Sequence, residues 1–111
     1  MKYTTSIKAP HLFRRAYGKG KHAATPTLVL YARKNGLDQN RLGLTVGTKV
    51  GKATVRNRVR RRLRESYRLR EATIKPGYDL VIVARTAANH ARFHELDRHL
   101  ASLLKRLELR A

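Results

Sequence analysis

The chain reads as a single α+β domain, a small mixed sheet with helices packed on it in the order αββαβα. Three observations carry this. Apolar residues alternate in short runs and recur every third or fourth position in longer ones, the periods of strand and helix. Gly, Pro and Asn punctuate the runs. The 111 residues suit one domain, since a domain takes roughly 100–200.

Residues 10–17 predict the first helix. Pro10 suits a first turn, Leu12, Phe13, Ala16 and Tyr17 share helical spacing, and Gly18 and Gly20 end the run. Ahead of it, residues 1–9 carry no periodic signal and read as a flexible N-terminal segment. Residues 27–33 (TLVLYAR) are β-branched, aromatic and short, which predicts a strand. A polar connection over 34–41 contains the turn dipeptide Asn35-Gly36. Leu42, Leu44 and Val46 then alternate with Gly43, Thr45 and Gly47. That predicts a second strand, joined to the first as a hairpin.

Residues 53–70 predict a long helix, because Val55, Val59, Leu63 and Tyr67 fall at i+4 spacing and form one buriable stripe. Lys75-Pro76-Gly77 is a turn. Residues 79–85 (DLVIVAR) are continuously apolar, the pattern of a strand buried on both faces. Residues 91–109 complete the chain as an amphipathic helix through Phe93, Leu96, Leu100, Leu103, Leu104 and Leu107.

Composition narrows the function. Lys and Arg number 26 against 7 Asp and Glu, a net charge of +19. Such a charge repels itself and calls for a polyanion. Arg outnumbers Lys by 17 to 9, and the planar Arg fork suits phosphate and bases better than a simple charged surface. No membrane partner is implied: the longest apolar runs, 28–32 and 80–84, fall far short of the roughly 20 residues of a span. With no Cys there is no disulfide, thiolate metal site or Cys nucleophile, which fits a cytoplasmic location, as does the lack of an apolar leader over residues 1–10.

The charge is concentrated. Residues 49–70 hold ten of the 26 cations and one acid, Glu65. On a helical wheel Asn57, Arg61, Arg64 and Arg68 lie opposite the apolar stripe, with Arg56 and Arg60 on one flank and Arg58 and Arg62 on the other. A solvated face ordinarily mixes Glu with Lys at i,i+4, which gains about 0.2–0.5 kcal/mol per pair. This one stacks like charges at that spacing, at a similar cost, so the face asks for an external anion. Upstream, the glycine-containing loop through Gly47, Lys49, Gly51 and Lys52 fails the nucleotide-binding pattern GxxxxGK[ST]. It still presents backbone N–H groups at a helix N-terminus, where phosphate binds.

The run Lys49-Val-Gly51-Lys-Ala53-Thr-Val-Arg56-Asn57-Arg58-Val-Arg60-Arg61-Arg-Leu-Arg64-Glu65 resembles the Arg-Asn-Arg signature of the bacterial ribonuclease P protein family. The resemblance extends to residues 12–20 as the family's first helix, to 28–31 and 41–44 as its first two strands, and to 78–85 as its third. It implies a ribonucleoprotein endonuclease that removes the 5′ leader of precursor tRNA. In that family the partner catalytic RNA performs the hydrolysis with Mg²⁺ and the protein supplies affinity and discrimination, with no protein partner. The resemblance implies that Lys49, Lys52, Arg56, Asn57, Arg58, Arg60, Arg61, Arg64 and Arg68 face the catalytic RNA. Phe13, Tyr17, Tyr31, Lys49 and Arg85 would line a cleft for the single-stranded leader. It also implies a left-handed βαβ crossover carrying the Arg helix. The chain departs from the family at Gly47-Thr48, where Ser-Lys is common, and at Thr86, where Lys is common. Two cations near the cleft are therefore missing.

Single-stranded nucleic acid binds by stacking on aromatics in a basic groove, and Phe13 and Tyr17 share one helical face. Core packing explains the same spacing, so both readings stay open for Phe13, Tyr17 and Tyr31. His90 and His94 are four apart without a third ligand, and the seven acids are scattered, so no metal or hydrolytic site on the protein is predicted. Two alternatives remain on composition alone. A structural RNA-binding protein, such as a ribosomal one, would co-purify with ribosomal RNA. A DNA-binding regulator would need base-reading side chains beyond Asn57.

Overall fold

The computed structural model describes residues 1–111. In chain order its elements are β1 (Thr4–Ser6), α1 (Pro10–Lys19), β2 (Lys21–Ala24), β3 (Leu28–Lys34), β4 (Asn40–Thr45), α2 (Ala53–Arg70), β5 (Tyr78–Ala84) and α3 (Phe93–Arg106). Short 3-10 turns at Thr48–Val50, Glu71–Thr73 and Thr86–Asn89 lead into or out of the two longer helices. All six predicted elements are present. The last helix is shorter than its apolar pattern: Glu108 takes a left-handed φ of 57°, and Leu109 turns back so that its carbonyl accepts the Lys75 N–H at 2.7 Å.

The sheet runs β1-β4-β5-β3-β2, and it corrects three expectations. The predicted hairpin does not form. β5 lies between β3 and β4, antiparallel to one and parallel to the other. Leu80, Val81 and Ile82 are fully buried there, and a strand apolar on both faces gains most in the middle of a sheet. Second, residues 21–24 add an edge strand paired with β3. Thr25 closes the connection by accepting the Leu28 N–H on its hydroxyl at 3.1 Å.

Third, the segment expected to be flexible is built into the sheet. Thr4–Ser6 pairs in parallel with β4, and Ile7 is buried behind it. The Glu71 carboxylate accepts the N–H groups of Lys2 and Tyr3 at 3.0 and 3.1 Å. Thr4 Oγ1 shares a 2.9 Å hydrogen bond with the Tyr67 hydroxyl.

The sheet has two dressed faces. On one, Leu28, Leu30, Leu42, Leu80 and Ile82 meet Val59, Leu63 and Tyr67 of α2 and Leu96, Leu100, Leu103 and Leu104 of α3 in the main core. Each Leu fully buried there contributes about 1.5–3 kcal/mol. On the other, α1 covers a smaller cluster of Ile7, Ala16 and Val81, with Leu12, Phe13, Tyr31 and Val83 packed around it. Between the layers Asp79 is completely buried. Arg41 grips it, with Nε and Nη2 donating at 2.7 and 2.9 Å, and Asn35 Nδ2 donates at 3.2 Å.

Strand geometry fixes the hand of the β4–α2–β5 crossover. Leu42 turns its carbonyl toward β1, accepting the Ile7 N–H, and its side chain toward the α2 layer. For an L-residue this places β1 to the right of β4, and β5 to the left, when the sheet is viewed from α2 with β4 running upward. The chain thus crosses leftward over the sheet, against the usual right-handed rule.

Candidate nucleic-acid interface

The apolar stripe of α2 is seated as its spacing predicts. Val59, Leu63 and Tyr67 are buried and Val55 is half-buried. Ser66 joins them and donates to Asp97 Oδ1 at 2.7 Å. Asn57, Arg61, Arg64 and Arg68 are exposed on the opposite side. The flanking arginines are half-buried and clip the helix to its surroundings. Arg60 Nη2 donates to the Val46 carbonyl and Arg58 Nη2 to that of Asn89, both at 3.4 Å, and Arg62 Nη1 donates to that of Ala91 at 2.8 Å. Arg56 is half-buried too, and the Nε of Arg56 and of Arg58 is buried without a partner.

Little of this charge is cancelled internally. The ion pairs are Arg41–Asp79, Arg68–Glu65 and Arg70–Asp97, and both that involve α2 lie at its C-terminal end. The Arg68 hydrogen bonds hold the Glu65 carboxyl below its ordinary range. Arg70, with help from Ser66, does the same for Asp97 against the opposing effect of burial. Between Lys49 and Arg64 no cation meets a carboxylate. The α2 N-terminus adds to the field, having no side-chain cap and no acid in its first turn, so its leading N–H groups face outward. Lys49 and Lys52 flank it, both exposed. Gly51 makes the tight approach possible: at φ 156° a Cβ would stand 3.0 Å from Val55.

A hollow lies on the opposite face, between α1 and the sheet. The rings of Tyr17 and Tyr31 meet edge to face at 4.9 Å, and the Tyr17 hydroxyl shares a 3.1 Å hydrogen bond with Thr45 Oγ1. Thr45 in turn lines a surface depression with Lys49, Val83 and Arg85. Arg85 is exposed and donates from Nη1 to the Thr25 carbonyl at 2.9 Å. Tyr17, Tyr31, Lys49 and Arg85 are thus brought to one continuous surface. Phe13 sits deeper, its ring resting against Gly43, where a Cβ would meet Phe13 Cε1 at 2.5 Å. It also lines a neighbouring cavity with Ile7, Gly43, Leu44, Arg60 and Arg64.

Two members of this surface were not foreseen. His22 stacks on Tyr31 at 5.4 Å, and its signal was hidden because residues 21–24 carry no strand signature. The sequence marks Thr45 only as one partner in an alternating strand. Four of the seven carboxylates are engaged elsewhere: Asp79 on Arg41 and Asn35, Glu65 on Arg68, Asp97 on Arg70 and Ser66, Glu71 on two backbone amides. The chain offers no set of converging acids that fits a divalent cation.

The Ribonuclease P family model matches residues 1–108. The ribonuclease P protein component of Clostridioides difficile is 44% identical over 107 residues, which cover 96% of this chain and 94% of that one. The solved structure of the Staphylococcus aureus RNase P protein superposes with a TM-score of 0.87 at 30% identity, covering 94% of this chain and 95% of that one. The Thermotoga maritima RNase P protein gives 0.83 at 33% identity, covering 91% and 96%. The chain belongs to the ribonuclease P protein family, the protein subunits of an endoribonuclease holoenzyme whose catalytic component is RNA.

Proposed function

We propose that the chain docks on the catalytic RNA through α2 and its preceding loop, and holds the 5′ leader of precursor tRNA in the hollow under α1. The observation that carries this is the separation of two surfaces. One is a run of cations from Lys49 to Arg64 with no acid partner, seated on a buried stripe. The other is an aromatic and basic hollow on the far side of the same sheet. Arg61, Arg64, Lys49 and Lys52, with Asn57 and the more recessed Arg56, Arg58 and Arg60, contact RNA phosphates. Arg68 closes that face. Phe13, Tyr17 and Tyr31 stack on leader bases, with Lys49 and Arg85 on its phosphates. The RNA binds the Mg²⁺ and cleaves, in the cytoplasm, and the protein contributes affinity and discrimination in tRNA processing.

Reconstitution tests it. The protein alone does not cleave precursor tRNA, and adding it to the catalytic RNA at low Mg²⁺ raises leader removal. Arg64→Ala weakens assembly of the holoenzyme and makes it less salt-dependent. Equal leader removal with and without the protein overturns the proposal.

A further inference from the structure

The Arg face of α2 changes character at its C-terminal end. Arg68 is held by Glu65 in a two-pronged pair, with Nε donating to Oε2 at 3.0 Å, so its charge is largely cancelled. Beside it the surface turns apolar. Leu69 is 58% exposed and Tyr3 is 56% exposed, and both line one shallow hollow with Met1, Lys2, Arg68, Glu71 and Ala72.

Tyr3 is not loose. The Glu71 carboxylate fixes the amides of Lys2 and Tyr3, and Thr4 is tied to Tyr67. The backbone is thus pinned while the ring stays in solvent. A clustered exposed apolar patch marks a contact surface, and an aromatic on a fixed backbone loses little freedom on binding. A phosphate would meet the Glu71 carboxylate and a neutralised guanidinium here, beside Lys2 and Met1. The flat face of a base finds a ring, a planar paired guanidinium and a Leu side chain, the elements of sequence-tolerant stacking. The hollow also continues the Arg64–Arg68 face along the same helix.

We propose that Tyr3, Leu69 and Arg68 form a stacking shelf for an unpaired base of the catalytic RNA, at the edge of the phosphate-binding face. The inference rests on the reading of α2 as the surface that meets that RNA. The test is titration of the full chain into the catalytic RNA across a salt series, with base-specific chemical footprinting of the complex. Tyr3→Ala weakens assembly about tenfold, the scale of one lost stack, with an unchanged salt slope. It also uncovers one base that the unaltered protein protects. Tyr3→Phe keeps both the affinity and the protection. Leu69→Ser weakens assembly in the same direction. Arg61→Ala serves as the contrast and lowers the salt slope by about one. If Tyr3→Ala and Leu69→Ser leave affinity and footprint unchanged while Arg61→Ala acts, the shelf is wrong and the phosphate face stands. If Arg61→Ala is silent as well, the docking assignment of α2 fails with it. A loss in Tyr3→Ala that comes with a lower Tm and no newly reactive base also overturns the shelf.

Discussion

Gly43→Ala separates the leader hollow from the RNA-docking face with one methyl group. Gly43 lies on β4 facing α1, and a Cβ there would stand 2.5 Å from Phe13 Cε1, 2.8 Å from Cζ and 3.4 Å from Ile7 Cδ1. Carbon contacts settle near 3.5–4.0 Å, so the ring must retreat by roughly 1 Å. Ile7 is buried and cannot yield, whereas Phe13 is half-buried and swings outward. Overpacking costs about 1–3 kcal/mol, and the open path puts this site at the low end. A Tm loss of about 4 °C per kcal/mol follows for a domain of this size. β4 keeps its backbone, so the Val46 carbonyl still receives Arg60 and α2 stays in place. The assay compares holoenzyme binding of precursor tRNA with that of mature tRNA. The leader-dependent part of the affinity falls about tenfold, the scale of one displaced stack, while assembly with the catalytic RNA is unchanged. Combining Gly43→Ala with Phe13→Ala costs less than the sum of the two, because removing the ring removes the clash. A lowered Tm with full leader affinity would refute the argument and leave Phe13 as core alone.

Three further outcomes are expected. Tyr17→Ala, at a side chain 41% exposed, leaves urea stability within about 0.5 kcal/mol and lowers leader-dependent affinity; a large stability loss would contradict its place in the hollow. Asp97 and Glu71 both have folded pKa values below their ordinary 3.8 and 4.5. The Arg70 pair depresses Asp97. For Glu71 burial pushes upward, but Thr4 and the amides of Lys2 and Tyr3 prevail. Their stabilisation is complete above the unfolded values and disappears as pH falls through the folded ones, so Tm drops on acidification below about pH 4.5, and Asp97→Asn flattens that slope in a thermal series. Finally, Arg61→Ala and Arg62→Ala, adjacent and alike in charge, diverge. The exposed Arg61 affects RNA affinity and leaves Tm unchanged. Arg62, bonded to the Ala91 carbonyl at 2.8 Å, lowers stability by about 1.5–3 kcal/mol in denaturant titration.

The long helix and its charged face were legible because their signals are local. Four apolar residues at i+4 spacing fix which way α2 turns, and the wheel then places Arg61, Arg64 and Arg68 outward without reference to any partner. Strand order was not legible, for the opposite reason. Asn35-Gly36 is a true turn, with Gly36 at φ 74° and the Leu37 N–H donating to Asn35 Oδ1 at 2.8 Å, but a turn does not say which strands pair across it. Thr4–Ser6 and Lys21–Ala24 are strands only by virtue of their partners. The first depends on β4 and on Glu71, far along the chain. The second has no β-branched residue and no Phe, Tyr or Trp, and depends on β3. His22 was lost with it, since its stacking on Tyr31 exists only once that register is known.

On the proposed reading, β4 explains how one small sheet would serve two RNA surfaces. Its alternation sends Leu42, Leu44 and Val46 toward α2 and α3, and Gly43 and Thr45 toward α1. The same strand, extended by Val46, therefore seats α2 on one side and the aromatic hollow on the other. The chain leaving β4 passes through Lys49 and Lys52 directly into α2, so the loop between the two surfaces carries two exposed lysines at an uncapped helix N-terminus, where phosphate binds. A leader lying on Tyr17 and Tyr31 would then be set at a fixed distance from the docked RNA by a strand buried in the sheet, with no hinge between them. The self-repulsion of the Arg face is tolerated because the main core anchors the α2 stripe, and on the proposed reading the RNA that relieves it would also orient the hollow.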